Sequence, residues 1–269
     1  MKIGLDNGLN AYQVAALRIS SSGLVMLPVA YRAFKKIPAD KYLLIFLSGA
    51  IGSLIPAFLF CIAEEKIDSS LAGTLNAVTP IFAIIMGALF FQTKVAANKI
   101  TGILIAFAGM VLLFFSKGSL DGELHLGHTL LVVLAAIMYG FNVNLVSKKL
   151  SGISSLHLTA VALCTNAVPA AIVLYFTGFF SLPFHQNNIL IATGAAAILG
   201  IIGTAVATII FYALVKRASP VFASMVTYGI PFIAIAWGIY YKEEVGWKQL
   251  ISLLVILAGV YWANRKKQV

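Results

Sequence analysis

The chain has 269 residues, of which 61% are hydrophobic and only 10% charged, against about 25% charged in an ordinary soluble domain. That excludes a water-soluble globule, because a fold of this size cannot hide so much apolar surface from water. The net charge of +10 would suggest nucleic acid in a soluble protein, but here the basic residues sit in short segments between apolar runs, so nucleic acid is excluded as a partner and the charge reads as an orientation signal.

Nine apolar runs follow in chain order, at 10–31, 42–63, 69–91, 98–115, 127–147, 155–177, 189–214, 219–241 and 248–264. Each is close to the ~20 residues that cross a bilayer as a helix. None alternates in the way of a barrel strand. The expected fold is therefore all-α, a polytopic bundle of nine transmembrane helices with membrane lipid as its solvent, in the cell membrane (the inner membrane of a bacterium). The first run lacks the basic lead and small-residue cleavage site of a signal peptide. Cys61 and Cys164 lie inside apolar runs without metal-ligand spacing.

Loop charge sets the orientation. With Arg265, Lys266 and Lys267 placed in the cytoplasm, the same side receives Arg32, Lys35, Lys36, Lys41, Lys94, Lys99, Lys148, Lys149, Lys216 and Arg217. The outer loops hold only Lys2, Lys66, Lys117, Lys242 and Lys248, together with every acid except Asp40. Excess Lys and Arg inside is the expected bias, so the C-terminus is cytoplasmic and the N-terminus outside.

The sequence also repeats itself. An offset of 151 residues lays Gly49 and Gly52 on Gly200 and Gly203, Phe60 on Phe211, Ala72 on Ala223, Pro80 on Pro231 and Gly87 on Gly238. After a one-residue slip, Ala108 and Gly109 fall on Ala258 and Gly259. The copies lie five helices apart, an odd number, so they cross the membrane in opposite directions. Inverted repeats of this kind characterise secondary transporters, with the substrate near the midplane between them. The expected units are 1–117, with four helices, and 127–269, with five. The run 127–147 has no counterpart in the first unit, so the expected arrangement is four helices plus five, a ten-helix fold lacking its first helix, either because that helix was lost or because the start was assigned too late.

These residues resemble the EamA-type branch of the drug/metabolite transporter superfamily over nearly the whole length. The resemblance is carried by Ala16-Leu17-Arg18, by Ala72 through Pro80 with Gly87, and by Ser219-Pro220-Val221-Phe222-Ala223-Ser224 through Pro231 with Gly238 and Glu243-Glu244. Leu257-Ala258-Gly259-Val260 completes it. It implies two five-helix inverted repeats and export of amino acids, organic anions or drug-like metabolites, with protons as a candidate coupling ion and a homodimer as a candidate assembly. The chain departs from the pattern in two places. The Trp-Gly of the first family helix has only Tyr139-Gly140 as its repeat equivalent, and the acid closing the fourth family helix is replaced by Gln92-Thr93.

The residues themselves nominate a site. Arg18 lies about two turns inside the first run, where an arginine costs ~2.5–3.5 kcal/mol, and no interior acid exists to pair with it. It either attracts an anionic group in a cavity or snorkels to the surface. Asn76, Asn142 and Asn166 are intramembrane amides that need a partner, on a neighbouring helix or a substrate. Tyr139 and Asn142 are three apart and share a helical face, which favours that pair over Asn144. Tyr228 is an expected aromatic wall. These six are the expected substrate-binding residues. Pro80 and Pro231 fall mid-run at equivalent places; each frees the carbonyl four residues back, so the pair is expected to act as hinges. The glycines Gly49, Gly52, Gly200 and Gly203 read as close-packing positions.

An enzyme is not expected. His125, His128, His157 and His185 lie in loops or at helix ends, and neither a zinc pair nor a Walker loop is present. No metal and no cofactor are expected. The alternative to a small-molecule transporter is a non-transport scaffold or a lipid-handling, flippase-like member of the same superfamily, which a wholly apolar cavity would favour.

Overall fold

The computed structural model describes residues 1–67, 69–116, 125–230, 232–233 and 246–264, and all regular structure within them is helical. A short helix α1 (Lys2–Asp6) precedes α2 (Ala11–Phe34). The start of α2 is fixed by Asn10 and Gln13, whose side chains each accept from the other's backbone N–H, a reciprocal cap that satisfies two helix-end groups. Glu65 adds a third bond, accepting from Ala11 N–H at 3.1 Å. Arg18 is thereby held two turns from a firmly anchored helix end.

Two long rods follow a common design. The first runs from α3 (Tyr42–Gly49) through a π-helical turn at Ala50–Leu54 into α4 (Ile55–Ala63). Between it and the second rod lie α5 (Ser69–Asn76), α6 (Thr79–Phe91), α7 (Ala97–Ser116), α8 (Leu126–Lys149) and α9 (Ser155–Phe176). The second rod runs from α10 (Asn187–Gly200) through a π-helical turn at Ile201–Val206 into α11 (Ala207–Arg217). The offset of 151 superposes the two π turns. A widened turn recurring at equivalent places is a feature of the duplicated unit, and such turns concentrate at functional sites. The described chain ends with α12 (Pro220–Ser224), a 3₁₀ turn at Met225–Gly229 and α13 (Trp247–Asn264).

Among the described residues, five helical stretches are long and apolar enough to cross a membrane, and three shorter apolar ones accompany them. Large apolar side chains such as Leu24, Leu89, Leu130, Ile202 and Leu254 stand exposed, whereas alanines dominate the buried set. A soluble protein rarely exposes so much apolar surface. With lipid outside, close backbone approach through small residues holds the bundle instead.

Helices that the repeat makes equivalent pack on each other, and they do so antiparallel. In α2 and α9, Gln13 near the start of one donates to the Thr177 carbonyl just past the end of the other at 3.0 Å. Further along, the Cys164 thiol donates to the Gly23 carbonyl. In α7 and α13, Gly102 lies against Gly259 and Ala263, while Gly109 lies against Ser252 and Ile256. Because Gly109 is the counterpart of Gly259, and Gly102 that of Ser252, each contact is mirrored by its equivalent. This is how a two-fold relation looks from within one chain.

The run 69–91 is not one helix. It breaks at Ala77 and Val78, and Pro80 occupies the first turn of α6 rather than its middle. The physical reason is that proline's missing N–H costs nothing where no intrahelical partner is available. The Asn76 carbonyl is not left open either, because it accepts from the Thr79 hydroxyl at 2.7 Å. Pro231 lies outside the described residues.

Candidate functional site

A cavity of about 490 Å³ lies where these interruptions converge. Its wall takes Arg18 from α2, Gly52 and Ser53 from the first π turn, Asn76 and Thr79 from the break between α5 and α6, and Tyr139 and Asn142 from α8. From the second half come Gly203 and Thr204 of the other π turn, Thr208, Phe211 and Tyr212 of α11, and Ser224, Val226 and Thr227 around the 3₁₀ turn. The lining is therefore mixed, with hydroxyls and amides among apolar walls, and not wholly apolar.

Four of the six nominated residues meet here: Arg18, Asn76, Tyr139 and Asn142. Arg18 donates through Nε to the Thr204 hydroxyl at 2.7 Å and through Nη1 towards the Met1 sulfur at 3.8 Å. Asn76 holds its side-chain oxygen 3.1 Å from the Thr79 hydroxyl. Asn142 accepts from Ser48 Oγ at 2.7 Å and donates to Tyr212 Oη at 3.0 Å. The Ser48–Asn142–Tyr212 chain is buried and ties α3, α8 and α11 together at the cavity wall. Glycine makes it feasible, since a Cβ at Gly52 would stand 2.0 Å from Asn142 Nδ2.

The other two nominated residues stand outside the cavity. Asn166 is buried between α9 and α3, and its Nδ2 donates to the carbonyls of Phe46 and Ala162 at 3.1 and 2.8 Å. Gly49 gives it room. Tyr228 is buried against α7, where its hydroxyl donates to the Ile103 carbonyl at 3.1 Å. Both side chains find backbone acceptors on a neighbouring helix, the commoner fate of a polar group in this setting. Asn144 behaves likewise, donating to Ala83 and Gly140 carbonyls.

Residue-by-residue reading missed the hydroxyls. Ser53 and Thr204 are equivalent under the repeat, each directly follows a repeated glycine, and both line the cavity. Asn76 and Thr227 are also equivalent, and both line it. The recurrence of a hydrogen-bonding side chain at matched positions was the available signal.

Outside the spans, Glu64 caps α4 at the end nearest Arg18. Burial pushes its carboxyl above the usual range, and the N-terminal amine, the Ser69 hydroxyl at 3.3 Å, Arg18 and Lys2 pull it down without cancelling that shift. A carboxyl with a raised folded pKa contributes stability that is fully present below its unfolded value and is lost as pH rises through the folded value. Glu64→Gln is therefore expected to melt at a higher temperature than the wild type at pH 8. The difference should close below about pH 4.3, the unfolded glutamate value. A melting curve at each pH checks the sign.

The sequence matches the EamA-like transporter family over residues 1–115 and again over 127–265. An uncharacterized transporter of Archaeoglobus fulgidus is 25% identical over 231 residues, which cover 83% of this chain and 78% of that one. A WAT1-related protein of Arabidopsis thaliana is 28% identical over 138 residues, covering 48% of this chain and 38% of the plant protein. One solved crystal structure superposes with a TM-score of 0.76 at 15% identity, covering 95% of this chain and 89% of its own, which shows a shared fold. With both halves of the sequence matched separately, the chain belongs to the EamA-like transporter family and is a multi-pass membrane protein of a transporter family rather than an enzyme family.

Proposed function

We propose that this protein is a gradient-driven secondary transporter that exports small metabolites by alternating access between two inverted repeats, residues 1–117 and 127–269. In this reading the chain crosses the cell membrane nine times with its C-terminus in the cytoplasm. The observation that carries the reading is the cavity itself. It is built from both repeats and lies where their helices are interrupted, the setting in which transporters bind substrate. Arg18, Asn76, Tyr139 and Asn142 form the substrate-facing set, joined by Thr204 and Thr227. Asn166 and Tyr228 hold helices together. The break before Pro80 supplies a place where α5 and α6 pivot.

The test fills the cavity. Thr227→Trp places a bulky ring in the space, so flux of the strain's exported metabolites, profiled in cells lacking the wild-type protein, is expected to fall at least about tenfold. The purified variant should melt within a few degrees of the wild type. Full flux through the plugged protein would refute transport by this route.

A further inference from the structure

Arg18 places a fixed positive charge on the cavity wall, and no acid occurs in any of the apolar runs to balance it. Among the described residues no carboxylate forms an ion pair with it. Glu64 feels its charge from the end of α4 without reaching it. The partners Arg18 does have are neutral, the Thr204 hydroxyl on Nε and the Met1 thioether on Nη1. A guanidinium offers five N–H donors in a planar fork, and a thioether is a weak acceptor. Most of the hydrogen-bonding capacity of this cation is therefore unspent, in a site where an unmatched charge is costly.

We infer that the substrate is a small organic monocarboxylate whose charged end binds Arg18 and displaces Thr204 from Nε. The inference rests on the transport reading above and specifies its substrate class. A carboxylate supplies the two parallel acceptors that the fork fits, with charge-assisted bonds about twice as strong as the neutral one they replace. The charge count favours a monoanion: among the described residues Arg18 is the one cationic side chain on the wall, so a dianion such as a phosphate monoester would stay half-compensated. Ile210, Phe211, Leu214 and Val226 on the same wall suit an apolar body.

The exchange of partners has a mechanical side. Arg18 belongs to the first repeat and Thr204 to the second, so their bond ties the repeats together across the cavity. An anion that takes Nε from Thr204 loads the site and releases that tie in one event.

The experiment uses the full purified chain in detergent and reads thermal protection by butyrate, hexanoate and benzoate, each beside its amide and its primary amine. Protection is expected from the carboxylates alone. R18Q should weaken their apparent affinity at least about tenfold, the loss of one charge-assisted contact, and R18K should retain part of it. T204V removes the competing acceptor at nearly constant shape and should tighten carboxylate binding about threefold or more. Equal protection by all three chemistries, protection by none, or carboxylate protection unchanged in R18Q overturns the proposal, and unchanged affinity in T204V overturns the exchange of partners. Counterflow of the same probes into proteoliposomes separates the two readings. Carboxylates that bind through Arg18 but do not move leave the anion site standing and the transport reading lost. Amides or amines that move undiminished in R18Q leave a transporter whose substrate is not an anion.

Discussion

Leucine in place of Gly259 is expected to lower the melting midpoint by roughly 10 °C, about 3 kcal/mol for a chain of this size. The cause is backbone, not side chain. A Cβ at Gly259 would stand 2.3 Å from Ala106 N and 2.6 Å from the Gly102 carbonyl, and one at Gly102 would stand 2.4 Å from Ala263 N. Side chains can rotate away from an intruder, but two helix backbones yield only by moving apart. Separating α7 from α13 would strip contacts from Ile103, Ala106 and Ile256, all buried at this seam. It would also pull the Ile103 carbonyl away from Tyr228. Gly102→Leu should cost a similar amount from the opposite side of the crossing. Gly194→Leu is the control, because nothing lies within 4 Å of its Cβ position. It should melt like the wild type or slightly above, since leucine favours helix over glycine. Unfolding monitored in detergent decides the matter, and a Gly259→Leu protein that melts with the control would show that the seam is looser than its geometry.

That seam shows how far the sequence reaches. The match of Gly109 to Gly259 marks a repeated glycine and suggests close packing, but not against what. Only the fold reveals that the repeat packs on its own image. The same holds at the cavity. Arg18, Tyr139 and Asn142 were legible because a charge and an amide within an apolar run demand a partner, and three-residue spacing puts two of them on one face. Asn166 and Tyr228 carried the same signal and have a different fate, because periodicity cannot distinguish a neighbouring carbonyl from a substrate. The π turns were invisible for another reason. A run such as 189–214 is almost wholly apolar, and nothing in its pattern marks the turn beside Gly200, where the Arg18 carbonyl and Ser21 of α2 approach closely. The break before Pro80 was misplaced by a few residues because proline marks an interruption without saying whether it bends a helix or begins one.

Asn142→Leu is expected to damage both stability and flux, and the two losses should have one origin. Leucine nearly preserves volume but removes an acceptor from Ser48 and a donor from Tyr212. Both hydroxyls are buried, and leaving a buried polar group without a partner costs about 1–3 kcal/mol. Interhelical bonds in membranes often measure nearer 0.6 kcal/mol, so a loss of about 1–3 kcal/mol for the two together is the expected range. The bond to Ser48 crosses between the repeats, while the bond to Tyr212 stays within the second. Asn142 thus links the α3 rod to the α11 rod at the level of the first π turn, where Gly52 and Ser53 face the cavity. Without it those rods are free to settle independently, and flux of the transported solute should fall at least about tenfold even in protein that folds, as misplacement at a binding site does. The double variant Ser48→Ala with Tyr212→Phe removes the same bonds from the other ends. Combined with Asn142→Leu it should add little, because the three residues act as one unit and their effects are not additive. Melting curves and flux on the wild type and the three variants give the cycle. Full additivity would mean that the part Asn142 plays in flux is independent of its bonds to Ser48 and Tyr212.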